Sequence, residues 1–291
     1  MKTIFENKIF KIACGSNGDD YDWTDKVMKI AGNYMDAITL HHYTVPGGWN
    51  DRGSATEFNE EKYFATMERA LYMDTLITKH LQIMSRYDEA HKVGLIVDEW
   101  GTWFDVEEGT NPGFLYQQNT MRDALVAAAT LNIFNKHSDR VIMANIAQTV
   151  NVLQAVILTE GEKMVLTPTY HVFDLFKVHQ DATLVDSYIE TSAIGKEKIP
   201  NLSASVSESE SGLHITIANF SLTDSYPIDC DIVGMKAKAV DAEILTEKVN
   251  TYNDFTDANC VKITKFNNIQ INESGLKFEI PPCSVMRISV Q

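Results

Sequence analysis

The segment Val97-Asp98-Glu99-Trp100-Gly101-Thr102-Trp103 gathers side chains able to do chemistry in one place. An apolar run ends at two carboxylates, and both tryptophans lie within four residues of Glu99. A carboxylate can attack an electrophilic carbon or carry a proton. An indole beside it offers a flat apolar face to the C–H face of a sugar ring. Side chains alternate along an extended strand, so Asp98 and Glu99 are expected on opposite sides and not as an acid/base dyad. The competing reading of these residues is a structural ion pair at Glu99 with both tryptophans in the core.

His41-His42-Tyr43 closes an earlier apolar run. In an extended chain His41 and Tyr43 share one face and His42 takes the other. A Tyr43 hydroxyl there can donate to a carboxylate and keep it ionised and aimed. Adjacent histidines on a strand diverge, and no other residues stand at metal-ligand spacing, so no metal site is expected. Structural histidines satisfied by their neighbours are the alternative. Asn145 and Gln148 follow a later apolar run. Their amides donate and accept, which suits neutral hydroxyls as well as an ordinary polar loop. Asp19, Asp20 and Asp22 lack the rest of a calcium-loop pattern and read as a solvated acidic loop. Met28 and Met35 read as core filling.

These residues need elements to position them. Short, continuously apolar runs at 9–14, 37–40, 94–97 and 141–144 alternate with helical stretches at 22–32, 59–90, 115–136 and 170–179. Pro168 stands just before the last of these. That texture predicts a parallel sheet covered by helices. Polar and aromatic residues recur where each run ends: Ser16 and Asn17, His41 to Tyr43, Asp98 to Trp103, Asn145 and Gln148. In parallel α/β folds the carboxyl ends of the strands hold the site. After about residue 180 alternating segments take over, at 213–217, 228–232, 240–245, 261–263, 276–280 and 284–290. They predict an antiparallel β-sandwich. The boundary falls near residues 180–186 and is drawn between 182 and 183. No low-complexity linker separates the parts, so they are expected to pack together.

Composition narrows the function. The chain has 291 residues, 44% hydrophobic and 22% charged, which is ordinary for a globular protein. Its 25 Lys and Arg against 40 Asp and Glu give a formal charge of -15, so nucleic acid is not an expected partner. A neutral substrate fits this surface better. No apolar run is long enough to cross a membrane. Cys14, Cys230, Cys260 and Cys283 form no paired motif and read as isolated, buried or partly buried thiols. The opening MKTIFENKIFKIACG has no secretory pattern. That favours the cytoplasm, with less weight if this amino terminus is not the natural one.

The segment VDEWGTW around Glu99 resembles the nucleophile motif of glycoside hydrolase family 51, the α-L-arabinofuranosidases. KIACGS at 11–16, ITLHHY at 38–43, NIAQTVNVLQAVILTE at 145–160 and TPTYHVFDLF at 167–176 agree with that family in order and spacing. The resemblance implies a (β/α)8 barrel plus a β-sandwich and a retaining hydrolysis. It implies Glu99 as the nucleophile, with Tyr43 beside it and His41, Trp103 and Gln148 binding the arabinose ring. It implies no cofactor and no metal, and an arabinose-containing oligo- or polysaccharide as substrate. The family's acid/base Glu follows an Asn at a strand end. Asn59-Glu60 and Asn272-Glu273 follow no buried strand of the first half, and Glu6-Asn7 has the reverse order. Four β/α units stand where a closed barrel needs eight. The expected fold is therefore α/β plus all-β: the second half of a (β/α)8 barrel at 1–182, carrying the nucleophile, then a β-sandwich at 183–291. Such a chain lacks its proton donor and is expected to be inactive alone. It is expected to form a homo-oligomer or to pair with an amino-terminal half. A non-catalytic carbohydrate-binding module or a structural fragment are the alternatives.

Overall fold

The computed structural model describes residues 9–291. Glu6-Asn7 lies outside the described residues. Strands β1 (Ile12–Asn17), β2 (Ala37–Thr44), β3 (Gly94–Thr102) and β4 (Val141–Ile146) form one parallel sheet in sequence order. Helices α1 (Tyr21–Ala31), α2 (Glu60–Ser85), α3 (Met121–Lys136) and α4 (Pro168–Phe176) alternate with them. Between β4 and α4 runs a hairpin of β5 (Ile157–Glu160) and β6 (Lys163–Leu166).

Leu95 and Val97 of β3 and Ile38 and Leu40 of β2 pack with Met67, Met73 and Leu76 of α2 and the Ala-rich stretch of α3 in one core. Met28 belongs to that core, and Met35 packs against it. The outer strands are less covered. Ile9, Phe10 and Ile12 are exposed beside β1, as are Ile142 and Met143 on β4.

The second part has two larger antiparallel sheets and a two-stranded one of Ala193–Ile194 with Ile199–Pro200. Of the larger two, one orders Thr264–Lys265, Val240–Thr246, Ser284–Val290, Gly212–Asn219, Leu202–Ser209 and Thr183–Leu184, and the other Tyr226–Asp231, Gly275–Ile280 and Ile269–Ile271. Leu276, Phe278 and Ile280 alternate inward and meet Ile215, Ile217, Met286 and Ile288. This is the expected α/β plus all-β architecture.

Helix α3 lies between the two parts and is buried along nearly its whole length. Its far side is polar. Asn132 donates to the Ser203 hydroxyl (3.1 Å) and accepts from Ser205 (3.0 Å) and Thr216 (2.9 Å). Tyr63 of α2 donates to the Phe220 carbonyl at 2.8 Å.

Several boundaries differ from the sequence expectation. The first strand runs Ile12–Asn17 and carries on through Gly15. A Cβ at Gly15 would stand 1.4 Å from the Thr39 carbonyl oxygen, so only glycine lets β1 pair there. The 59–90 region is one helix, capped by Asn59. The helix expected from 115 starts at Met121. Leu115 is left-handed, and a Thr120–Asp123 capping box begins the helix. Pro168 lies inside the first turn of α4, where its missing N–H costs nothing.

Residues 261–263 are no strand. The buried Asn253 amide takes both the N–H and the C=O of Val261, at 2.7 and 2.8 Å, so a side chain replaces the ladder. Leu202–Ser209 was not anticipated as a strand: Leu202, Ala204 and Val206 turn to the sandwich core, but the other face buries Ser205 and Ser207, so its apolar pattern is thin. Cys14 and Cys260 are exposed, contrary to expectation. Cys14 stands on an outer strand of the sheet, and Cys260 on an irregular loop.

His179, after α4, sits between the Ser207 (2.7 Å) and Thr216 (2.9 Å) hydroxyls. Burial, with a smaller effect from His214, pushes its pKa down to about 4. The unfolded chain takes up this proton near the ordinary histidine value, whereas the folded chain holds it off. Stability from this site is therefore complete above about pH 6.5 and falls as pH drops towards 4, by up to about 3 kcal/mol. Urea midpoints at neutral and acid pH should show a steeper loss for the native chain than for His179→Gln. Equal pH slopes would refute this.

Candidate active site

Parallel pairing of β2 with β3 sets His41 opposite Glu99 and Tyr43 opposite Gly101. Tyr43 donates its phenol proton to Glu99 Oε2 at 2.8 Å. His41 Nδ1 lies 3.5 Å from the same oxygen, and its Nε2 lies 3.1 Å from Asp98 Oδ1. Asp98 and Glu99 thus approach a single imidazole and do not diverge. The reason is local: register shifts between Thr39 and His41 and between Val97 and Trp100 break the regular alternation. His42 does take the opposite face, where its Nε2 meets the Arg69 carbonyl of α2 at 3.0 Å. Burial lowers its pKa.

The two tryptophans of the motif part company. Trp100 is buried against Phe134 and Phe173. Trp103 stays half-buried and meets Tyr43 edge-on at 4.9 Å. Trp49, which sequence reasoning did not single out, completes the group. Its ring is 5.3 Å from Trp103 and 6.4 Å from Tyr43, and it is 55% exposed. Its only sequence signal is its place six residues after Tyr43, in the loop that leaves a strand end. Arg52 of the same loop stands 5.9 Å over the Trp103 ring.

Behind this rim lies a buried polar belt. The Thr102 hydroxyl donates to Asp123 Oδ1 at 2.5 Å, and the Thr102 N–H donates to Gln154 Oε1 at 2.8 Å. Gln154 also donates to the Asp123 carbonyl (2.8 Å) and to Thr169 (3.1 Å). Gln117 accepts from the Phe104 N–H at 2.8 Å. These bonds fix the backbone on both sides of Trp103.

Gln148 follows the end of β4, after a cis Ala147–Gln148 peptide, and is exposed. It shares the rim of strand ends with Glu99, Tyr43, His41 and Trp103, without a hydrogen bond to them among the described residues. Asn145 is exposed on β4. Asp20 caps α1 and Asp22 pairs with Lys26, so the acidic loop does helix-terminal work. Asn59 caps α2, and Asn272 accepts the Ser274 and Gly275 N–H groups of a turn. The asparagine of each Asn-Glu pair is thereby structural.

The α-L-arabinofuranosidase C-terminal domain family matches residues 98–284. The chain belongs to the family 51 α-L-arabinofuranosidases. It is 44% identical over 290 residues to an intracellular exo-α-L-arabinofuranosidase of Bacteroides ovatus, across 98% of this chain and 56% of that one. The crystal structure of the GH51 arabinofuranosidase from Xanthomonas axonopodis pv. citri superposes with a TM-score of 0.96 at 44% identity, over all of this chain and 60% of that one. An α-L-arabinofuranosidase from Thermotoga maritima, solved as an arabinose complex, superposes at 0.76 with 25% identity, over 95% of this chain and 56% of that one. The chain thus spans somewhat more than half the length of these relatives. The parallel sheet and its helices are the second half of the family's barrel, and the sandwich follows it.

Burial and the neighbouring Glu99 carboxylate push the Tyr43 phenol above the ordinary tyrosine range. Removing that negative charge with Glu99→Gln should bring the Tyr43 ionisation back down while the burial contribution stays. An NMR titration of tyrosine labelled at Cζ reads this directly. An unmoved Tyr43 titration would mean the two side chains do not interact in solution.

Proposed function

We propose that Glu99 is the nucleophile of a retaining exo-α-L-arabinofuranosidase and that this chain carries the nucleophile side of its site. The supporting observation is the Tyr43–Glu99 hydrogen bond at the mouth of an aromatic cluster. Tyr43 holds Oε2, whereas Oε1 accepts no hydrogen bond among the described residues. Oε1 attacks the anomeric carbon of a terminal arabinofuranosyl unit. The bond to the leaving oxygen breaks, and that oxygen takes a proton from a general acid. Water then cleaves the glycosyl ester and returns Glu99 as carboxylate. His41, Trp103 and Gln148 bind the sugar, with Trp103 as the stacking face. The substrate is an arabinose-containing oligo- or polysaccharide.

Retention requires two carboxyl groups about 5–5.5 Å apart. We assign the second to the part of the family fold that this chain does not span. The unit carrying Glu99 is drawn as residues 1–182 and the sandwich as 183–291. Exposed Phe10 and Ile12 at one outer strand and Ile142 and Met143 at the other suit pairing with further barrel units, or with a second copy. Because relatives are named intracellular, the proposed compartment is the cytoplasm. No helix among the described residues is long and apolar enough to cross a membrane.

Without a positioned acid, release of arabinose from an arabino-oligosaccharide, whose alkoxide leaving group needs the proton, should be about 10²–10⁴-fold or more below that of a complete family member. Comparable turnover would refute the missing acid. When the other barrel units are supplied from a full-length relative, restored turnover should vanish in Glu99→Gln. Its survival would remove Glu99 from the role, and sugar binding without any turnover would favour a binding module. Sedimentation showing only monomer at micromolar concentration would count against self-association through the outer strands.

A further inference from the structure

Arg122, in the first turn of α3, is buried, yet among the described residues it hydrogen-bonds no carboxylate. Its guanidinium lies between two rings. Cζ is 3.8 Å from the Phe58 centroid and 3.7 Å from the Phe104 centroid. One nitrogen donates to the Ala55 carbonyl at 2.9 Å and reaches that of Ser54 at 3.4 Å, while Nε has no partner. Burial lowers its pKa to about 10. A cation placed this way is costly to bury. Two aromatic faces and backbone carbonyls offset that cost.

The contacts join three segments. Phe104 directly follows Trp103. Ala55 and Phe58 belong to residues 45–58, which have no helix or strand of their own and carry Trp49 and Arg52. These two segments also meet where the Asp105 N–H donates to the Gly53 carbonyl (2.9 Å) and where Arg52 Nε lies 3.5 Å from Asp105. The third segment comes from the sandwich side. The Arg122 N–H donates to the Val249 carbonyl (2.8 Å), and the Met121 N–H to that of Thr251 (2.9 Å).

We propose that Arg122 is a positioning residue: stacked between Phe58 and Phe104, it pins the 45–58 segment so that Trp49 stays edge-on to Trp103. Residues 249–251 fix the helix turn that carries it, so the sandwich helps to shape the aromatic rim. What that rim binds rests on the function proposed above; the clamp itself does not.

Trp49 and Trp103, 5.3 Å apart and nearly perpendicular, should give an exciton-coupled circular-dichroism band. Trp49→Phe identifies that band by removing it. Arg122→Lys keeps the charge but loses the flat stacking surface. It should cut the band by about half or more and speed tryptic cleavage after Arg52 about tenfold, with far-UV signal retained. Phe58→Leu removes one wall while keeping Arg122, its Phe104 face and its carbonyl contacts, and should act in the same direction. It carries the test alone if Arg122→Lys does not fold. An unchanged band in either folded variant overturns the clamp. A separate titration with L-arabinose addresses the sugar reading: a band that ignores the sugar counts against that reading while leaving the clamp in place.

Discussion

Parallel pairing of β2 with β3 is the constraint on which the rim of the sheet depends. It brings Tyr43 and Glu99, far apart in the chain, to 2.8 Å. Parallel strands also point every carboxyl end the same way, so polar side chains at successive strand ends meet on one rim. A regular ladder would send Asp98 and Glu99 to opposite faces. The register shifts next to them turn both towards His41. The shifts beside Glu99 sit where the chemistry is proposed; further shifts occur between Leu95 and Ile96 and between Ala13 and Ser16, and the β2 and β3 residues below the rim are mostly apolar and buried.

That rim stands on helix α3. The helix touches the sheet with its Ala-rich face and the sandwich with Asn132 and Asn135. Its amino-terminal turn holds Arg122 and Asp123. Asp123 is wholly buried, and burial outweighs its neighbours in raising its pKa. It accepts from Thr102, from the Thr120 hydroxyl and from the Thr120 N–H, so one carboxyl caps the helix and holds the end of β3. Buried polar groups are tolerable when every member is satisfied, and here nearly every one is.

The sandwich is tied in by polar as well as apolar contacts. Ser205, Thr216 and His179 form a hydrogen-bonded layer against α3, while Phe220, Leu245 and Val285 share the core beneath α2 and α3. This explains why Leu202–Ser209 did not read as a strand. Leu202, Ala204 and Val206 do alternate towards the sandwich core, but only two of them are large apolar residues, and the other face buries Ser205 and Ser207, so the hydrophobic signal is weak. Val261 misled in the other direction. It is apolar and buried, but its backbone partner is the Asn253 side chain, which no local pattern announces.

Four apolar runs, the shift to alternating segments near residue 180 and the motif around Glu99 were all legible locally. Each depends on residues within one strand or one turn. So the sequence by itself determined the helix-covered parallel sheet and the sandwich, while its resemblance to family 51 implied the half-barrel and a place for Tyr43 beside Glu99. Tertiary structure alone decided how Trp100 is buried while Trp103 stays at the rim as the resemblance implied, that Trp49 joins it, that Asp98 and Glu99 share His41, and that a buried arginine spans three segments. Those outcomes depend on register and on contacts between residues distant in the chain. Two indoles of one motif look alike in sequence, and only packing on α3 and α4 buries one and leaves the other at the surface.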